Sequence, residues 1–145
     1  MVERAKADGS AGNEALNLAV IDEFRSNHGK VADVPGGNVL ILHSVGAKTG
    51  EPRLTPLAFV VVDRRLFVLG SSLGAPNDPA WVHNLRAVPQ ARIEIGDEEY
   101  GVVAHEIRRD ERDELFRTIG ELVPIMVEHQ ARTARKIPIF ELIKT

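Results

Sequence analysis

Leu54-Thr-Pro-Leu-Ala-Phe-Val-Val-Val62, Asp63-Arg-Arg65 and Leu66-Phe-Val-Leu-Gly-Ser71 follow one another without a break, and this stretch decides the fold. Two apolar, β-prone runs flank a short charged tip, which predicts an antiparallel hairpin whose tip faces water. Working outward, Val39-Leu-Ile-Leu-His-Ser-Val45 lies between Pro35-Gly36-Gly37 and Gly46 and predicts a buried strand before that hairpin. Residues 91–95 alternate in period two, Gly96-Asp97-Glu98 forms a turn, and residues 100–107 complete a second hairpin. Ile137-Pro-Ile-Phe-Glu-Leu-Ile143 reads as a last strand, which Pro138 confines to a sheet edge or a strand start.

Helical spacing appears only before and between these runs. Leu16, Val20, Ile21 and Phe24 predict an opening helix from Glu14 that stops at Gly29 after His28. Asp78 as N-cap and Pro79 at the first helical position introduce a short helix with Trp81, Val82 and Leu85 on its apolar side. Asp110 is expected to cap a third, with Leu115, Phe116, Ile119, Leu122 and Val123 on one stripe. Pro124 interrupts it, and a further helical piece runs to about Arg135. Hairpin-linked strands with helices before and between them give an α+β class with the antiparallel sheet closed as a barrel. No G-x-G-x-x-G links a strand to a helix, so a Rossmann cradle is excluded. Residues 1–13, polar and aperiodic, are read as a flexible arm, and residues 14–145 as a single domain.

Composition narrows the chemistry. The 145 residues contain no cysteine, which removes thiol nucleophiles, thiolate metal sites and disulfides, and suits a cytoplasmic protein. Lys+Arg 18 against Asp+Glu 21 gives a net charge of -3, the wrong sign for a nucleic-acid partner. No apolar run reaches membrane-spanning length, so no stable membrane insertion is expected, and the chain should work as a monomer or homodimer. His28, His43, His83, His105 and His129 are scattered without ligand spacing, which speaks against a metal centre.

Gly46-Ala-Lys48-Thr49-Gly50-Glu-Pro-Arg53 places two cations, a hydroxyl and glycine-freed backbone N–H groups within eight residues. Such a loop suits an anion: Lys48 is a compact charge and Arg53 can grip two phosphate oxygens. A solvated turn with ordinary surface charges accounts for the same residues. Ser71-Ser72-Leu73-Gly74-Ala75, at a strand end, would let a flat ring approach the backbone, with N–H groups serving its heteroatoms; a plain surface loop is the alternative.

In order, these pieces are G-x-K-T-G-x-x-R-x-x-P, a hairpin, S-x-x-G-A, P-x-W-x-x-N-L-x-A-x-P and T-x-R-x-I-P. From Phe24 to Ile143 the chain resembles the deazaflavin-dependent nitroreductase family of split-barrel flavin-binding proteins. The resemblance implies a split β-barrel of about six mainly antiparallel strands that binds coenzyme F-420 and passes its hydride to a small-molecule substrate, a quinone, enone or similar electrophile. Lys48, Thr49, Gly50 and Arg53 would hold the phosphate and acidic tail. The ring would lie along Leu54, Thr55 and Pro56 and against Ser71, Ser72, Leu73, Gly74 and Ala75, with Asn84 in contact and Trp81 bracing the wall from the core.

Two departures bear on the substrate. Ser72 and Leu73 replace the Lys-Gly frequent in the ring loop, and Val123, Met126 and His129 stand where the nitroimidazole-reducing member has tyrosines, so prodrug reduction does not carry over. His129 is a candidate for the proton that follows hydride transfer, Ser71 a competing one. Met126 is a candidate for lining the substrate pocket, although packing suits it as well. An FMN-binding oxidoreductase and a non-catalytic deazaflavin carrier are the alternatives.

Overall fold

The computed structural model describes residues 6–7, 14–31 and 38–145; the turn expected at Pro35-Gly36-Gly37 and most of the expected arm lie outside the described residues. Among the described residues seven strands form, β1 (Lys6–Ala7), β2 (Val39–Val45), β3 (Pro52–Val62), β4 (Arg65–Leu69), β5 (Gln90–Ile95), β6 (Glu98–Glu106) and β7 (Ile139–Lys144). The last six close in the order β3-β2-β5-β6-β7-β4, with β4 pairing back onto β3, and every pairing in the ring is antiparallel. β1 lies parallel beside Arg53 and Leu54, so two residues of the expected arm join the sheet.

The decisive hairpin turns at two residues, not three. Val62 pairs with Arg65, leaving Asp63 and Arg64 with φ of 51° and 65°. Both are left-handed, the combination whose twist matches that of the flanking strands. The second hairpin is equally tight, since Ile95 pairs with Glu98 across Gly96 and Asp97. β6 accordingly starts two residues before the expected Tyr100. β7 is an interior strand, hydrogen-bonded to both β6 and β4. Pro138 is tolerated because it immediately precedes the strand, where its carbonyl accepts the Gly70 N–H at 2.9 Å.

Among the described residues four α-helices decorate the barrel, α1 (Glu14–Ser26), α2 (Ala80–Ala87), α3 (Arg109–Leu122) and α4 (Ile125–Ala131). α1 ends through His28 (φ 56°) and Gly29 (φ 85°), the Gly29 N–H returning to the Phe24 carbonyl at 2.8 Å. Two expected caps are corrected. Pro79 and Arg108 occupy the capping positions of α2 and α3, with no side-chain capping bond at either. Asp78 is committed elsewhere, accepting from Arg135 at 2.7 Å and Arg86 at 3.2 Å. Asp110 sits inside the first turn of α3, where its charge still complements the helix dipole. The helical piece after Pro124 stops at Ala131, short of Arg135.

Alternation along the strands sorts the core into layers. Leu40, Leu42, Val68, Ile93, Val102, Phe140 and Leu142 share one cluster with Trp81, Val82 and Leu85 of α2. Trp81 meets Phe140 edge-on, with ring centroids 5.7 Å apart. On the opposite face of β2 and β3, Ile41 and Leu54 pack under Ile21 and Phe24 of α1. Val60, Phe67 and Ile139 pack under Leu115 and Ile119 of α3. Leu122, expected on that stripe, is 58% exposed because the helix ends there.

Glu94 pins α1 to the barrel. It accepts from Arg25 of α1 at 3.1 and 2.8 Å and from His43 Nε2 of β2 at 2.5 Å. Burial alone would raise its pKa, but the bonds from Arg25 and His43 outweigh that and hold the carboxyl below the usual range. A carboxylate whose folded-state pKa is depressed stabilises the fold above its unfolded value and loses that contribution as pH falls through the folded one. Glu94→Gln should therefore cost about 1 kcal/mol in urea unfolding at pH 7, with the gap from wild type closing as the pH drops below about 4. A gap that does not change with pH would refute this role.

Candidate functional site

α2 is the bracket of the site. At one side it holds the loop between β2 and β3. That loop closes on itself through Gly46 N–H to the Glu51 carbonyl and Gly50 N–H to the Gly46 carbonyl, both at 2.8 Å. Thr49 Oγ1 accepts from the Glu51 N–H at 3.2 Å and lies over Gly46, where a Cβ would come within 2.7 Å of it. The Asn84 side chain, 6% exposed, accepts the Ala47 N–H at 2.9 Å, so this residue holds the loop in place.

The closure leaves donors over. Among the described residues the amides of Lys48 and Thr49 and the Lys48 ammonium have no hydrogen-bond partner, and Lys48 is exposed. Arg53 is held only loosely, by Glu51 and the Pro52 carbonyl at 3.3 Å each. Two free amides beside two available cations form a donor set that suits a phosphate. Register adds buried hydroxyls below it. Leu42 pairs with Thr55 and Ser44 with Arg53, so Ser44 and Thr55 share the face of Leu42, which belongs to the cluster under α2. Both hydroxyls are buried without a partner, which marks the spot as built for another polar group. Leu54 does not reach this place, since its side chain packs under α1, and Pro56 shares that outer face through its pairing with Ile41.

At its other side α2 meets the loop after β4. Gly70 lies so close that a Cβ would stand 2.6 Å from Val82 Cγ2. The chain then passes through Ser72 (φ 43°), Leu73 (φ 56°) and Gly74 (φ 80°), three consecutive left-handed residues. Gly74 is buried against the His129 carbonyl and Arg132 of the α4 end, and Leu73 is 69% exposed. A hollow of about 420 Å³ opens beside the loop, bordered by Ser72, Ala75, Asp78, Ala80 and His83. His83 adjoins Asn84, so the hollow and the phosphate-type loop flank the same short helix.

The structure adds a residue that sequence reasoning did not assign, Arg135. Its guanidinium donates to the carbonyls of Gly70 (2.9 Å), Ser71 (2.8 Å) and Ala75 (2.9 Å) and to Asp78 (2.7 Å). The signal was present as the arginine of T-x-R-x-I-P, but nothing in the order of residues says that it reaches back some sixty positions.

Two candidates occupy other settings. Met126 packs on the α3 cluster with Phe67, Ile119 and Ile139. His129 is buried, at 6% exposure, and its Nδ1 has no partner among the described residues. Burial, helped by the positive charge of Arg132, pushes its pKa below the usual histidine value. The unfolded chain therefore takes up this proton more readily than the folded one, so stability falls as the pH drops below about 6.5. Urea titrations should find that acid-linked loss smaller in His129→Phe than in wild type. An identical pH dependence would contradict the burial.

No group of three or more metal-ligating side chains gathers among the described residues, and no helix there is long and apolar enough to cross a membrane. The free amides, paired cations and orphaned hydroxyls fit a phosphorylated cofactor with a flat ring. The F420H(2)-dependent quinone reductase family model matches residues 18–144. The chain belongs to this family. Within it, an F420H(2)-dependent quinone reductase of Mycobacterium tuberculosis is 32% identical over 126 residues, covering 83% of this chain and 85% of the relative. Among solved structures, an F420-H2 dependent reductase superposes with a TM-score of 0.63 at 30% identity, over 72% of this chain and 92% of that one. A chain described as a domain-swapped dimer gives 0.65 at 25% identity, over 88% and 98%. Membership of the F420H(2)-dependent quinone reductase family agrees with the split barrel and makes coenzyme F-420 the cofactor that the donor set has to fit.

Proposed function

We propose that this chain binds reduced coenzyme F-420 between the Lys48 loop and the Ser71 loop and reduces a quinone, with conjugated enones as further acceptors. Membership of the quinone reductase family supports the activity. One observation supports the placement of the cofactor: two adjacent free amides next to Lys48 and Arg53, at the end of a barrel wall with unpartnered Thr55 and Ser44 hydroxyls. When bound, the deazaflavin supplies a hydride to an electrophilic carbon. The residues of the chain bind and orient. Lys48, Arg53 and the free loop amides hold the phosphorylated side chain, Asn84 fixes that loop against α2, and the Ser71 to Ala75 backbone carries the ring. Residues 14–145 act as one cofactor-binding domain, in the cytoplasm, as a monomer or homodimer.

Protonation of the reduced product falls to Ser71 or His129. Burial and the charge of Arg132 lower the affinity of His129 for a proton, which favours handing one on to the reduced product once the ring is protonated. His129→Phe should slow turnover and leave coenzyme affinity unchanged, as read by kcat and by fluorescence titration; equal turnover removes the residue from the mechanism.

Stopped-flow oxidation of reduced coenzyme F-420 against quinones, enones and nitroaromatics tests the whole reading. Rapid oxidation by quinones and slow oxidation by nitroaromatics is expected. Tight binding with no oxidation by any acceptor would identify a carrier instead, and a flavin absorbance band in the purified protein would identify an FMN enzyme.

A further inference from the structure

The loop between β4 and α2 holds a strained backbone that something must enforce. A left-handed conformation is strained at a residue with a Cβ, and Ser72 and Leu73 adopt it side by side. Ser72 is only half-buried and Leu73 is exposed, so core packing does not impose this conformation. The internal bonds of this turn, Gly74 N–H to Ser71 carbonyl at 2.8 Å and Ala75 N–H to Ser72 carbonyl at 3.0 Å, close it but do not orient it.

We propose that Arg135 is the positioning residue of the coenzyme ring site: by holding the Gly70, Ser71 and Ala75 carbonyls on one side of the loop, it aims the Ser71 and Ser72 N–H groups at the cofactor on the other. The step is geometric. In a trans peptide the carbonyl of one residue and the N–H of the next point in opposite directions, and no peptide bond here is cis. The Gly70 and Ser71 carbonyls point at Arg135, so the amides of Ser71 and Ser72 point away from it. Those amides have no partner among the described residues. Asp78 fixes the guanidinium itself, and Arg86 shares the same carboxylate.

Only a planar fork with donors on three nitrogens serves four acceptors at once. Lysine, a point charge, cannot replace it. The proposal rests on the coenzyme reading above, and its test separates the two.

Arg135→Lys and, as a milder variant that removes the carboxylate charge Arg135 shares with Arg86, Asp78→Asn are compared with wild type by amide hydrogen exchange without ligand, by coenzyme F-420 titration and by amide NMR shifts. Expected for Arg135→Lys are faster exchange at residues 71–75, coenzyme affinity lower by roughly ten- to a hundredfold, and unfolding midpoints within a few degrees. In wild type the Ser71 and Ser72 amide protons move downfield on adding coenzyme F-420, and in Arg135→Lys they do not. Asp78→Asn shows the same changes at smaller size, and decides the matter if Arg135→Lys does not fold. Unchanged exchange at residues 71–75 together with affinity within twofold of wild type would overturn the proposal. If wild type fails to bind the coenzyme at all, the proposed function falls, and the exchange data without ligand still decide whether Arg135 orders the loop.

Discussion

Coenzyme F-420 should bind the Lys48→Ala, Arg53→Ala double variant about a hundredfold more weakly than wild type. Charge-assisted bonds to a phosphate contribute about 1.5–3 kcal/mol each. Lys48 is exposed and Arg53 partly so, which places both near the lower end of that range. The sum, about 3 kcal/mol, corresponds to roughly two decades in Kd. Neither side chain belongs to a core cluster, and the two loop-closing bonds are made by backbone, so the unfolding midpoint should stay where it is. Calorimetric affinity equal to wild type would refute the assignment of the loop. A fall in affinity accompanied by a large fall in midpoint would mean that the loop acts through the fold instead.

Gly74→Ala should be the most damaging single substitution near the site. The residue has φ 80°, and an added Cβ would stand 2.5 Å from the His129 carbonyl and 2.7 Å from Arg132 Cβ. The left-handed conformation accounts for about 1–2 kcal/mol, and displacing a main-chain carbonyl adds at least as much. About 3 kcal/mol in total lowers the thermal midpoint of a chain of this size by roughly 10 °C. Gly50→Ala is the matching control: its φ is also positive, at 69°, but nothing lies within 4 Å of its Cβ position, so it should lose no more than the conformational share. Equal losses at the two positions would show that crowding against α4 is unimportant.

The barrel was legible because its signals are local. The strand at Val39–Val45 is bounded where the apolar run is bounded, and the hairpin tip at Asp63 and Arg64 is polar because it turns in water. What escaped the sequence reading depends on distance. Asp78 has the composition of an N-cap, yet Arg86 of α2 and the distant Arg135 compete for its carboxylate and win. Pro138 left an edge or a strand start open, and only closure of the ring decides for the strand start.

The site followed the same rule. The Lys48 loop could be read because its cations, hydroxyl and glycines lie within eight residues. Asn84 could be flagged but not given its partner, which comes from thirty-seven positions away. Leu54, Thr55 and Pro56 looked equivalent in sequence, and only strand register separates Thr55 from its neighbours. For Arg135 the motif was visible, but its geometry was not.

The β3–β4 seam has a consequence for handling the protein. Because β4 returns to β3, each strand from β2 to β7 is paired along part of both its sides, and the ring leaves only short stretches of bare ladder, such as residues 55–58 of β3, on which a second molecule could build. Aggregation by strand addition on heating should therefore follow the opening of this seam, which would bare the β3 and β4 edges.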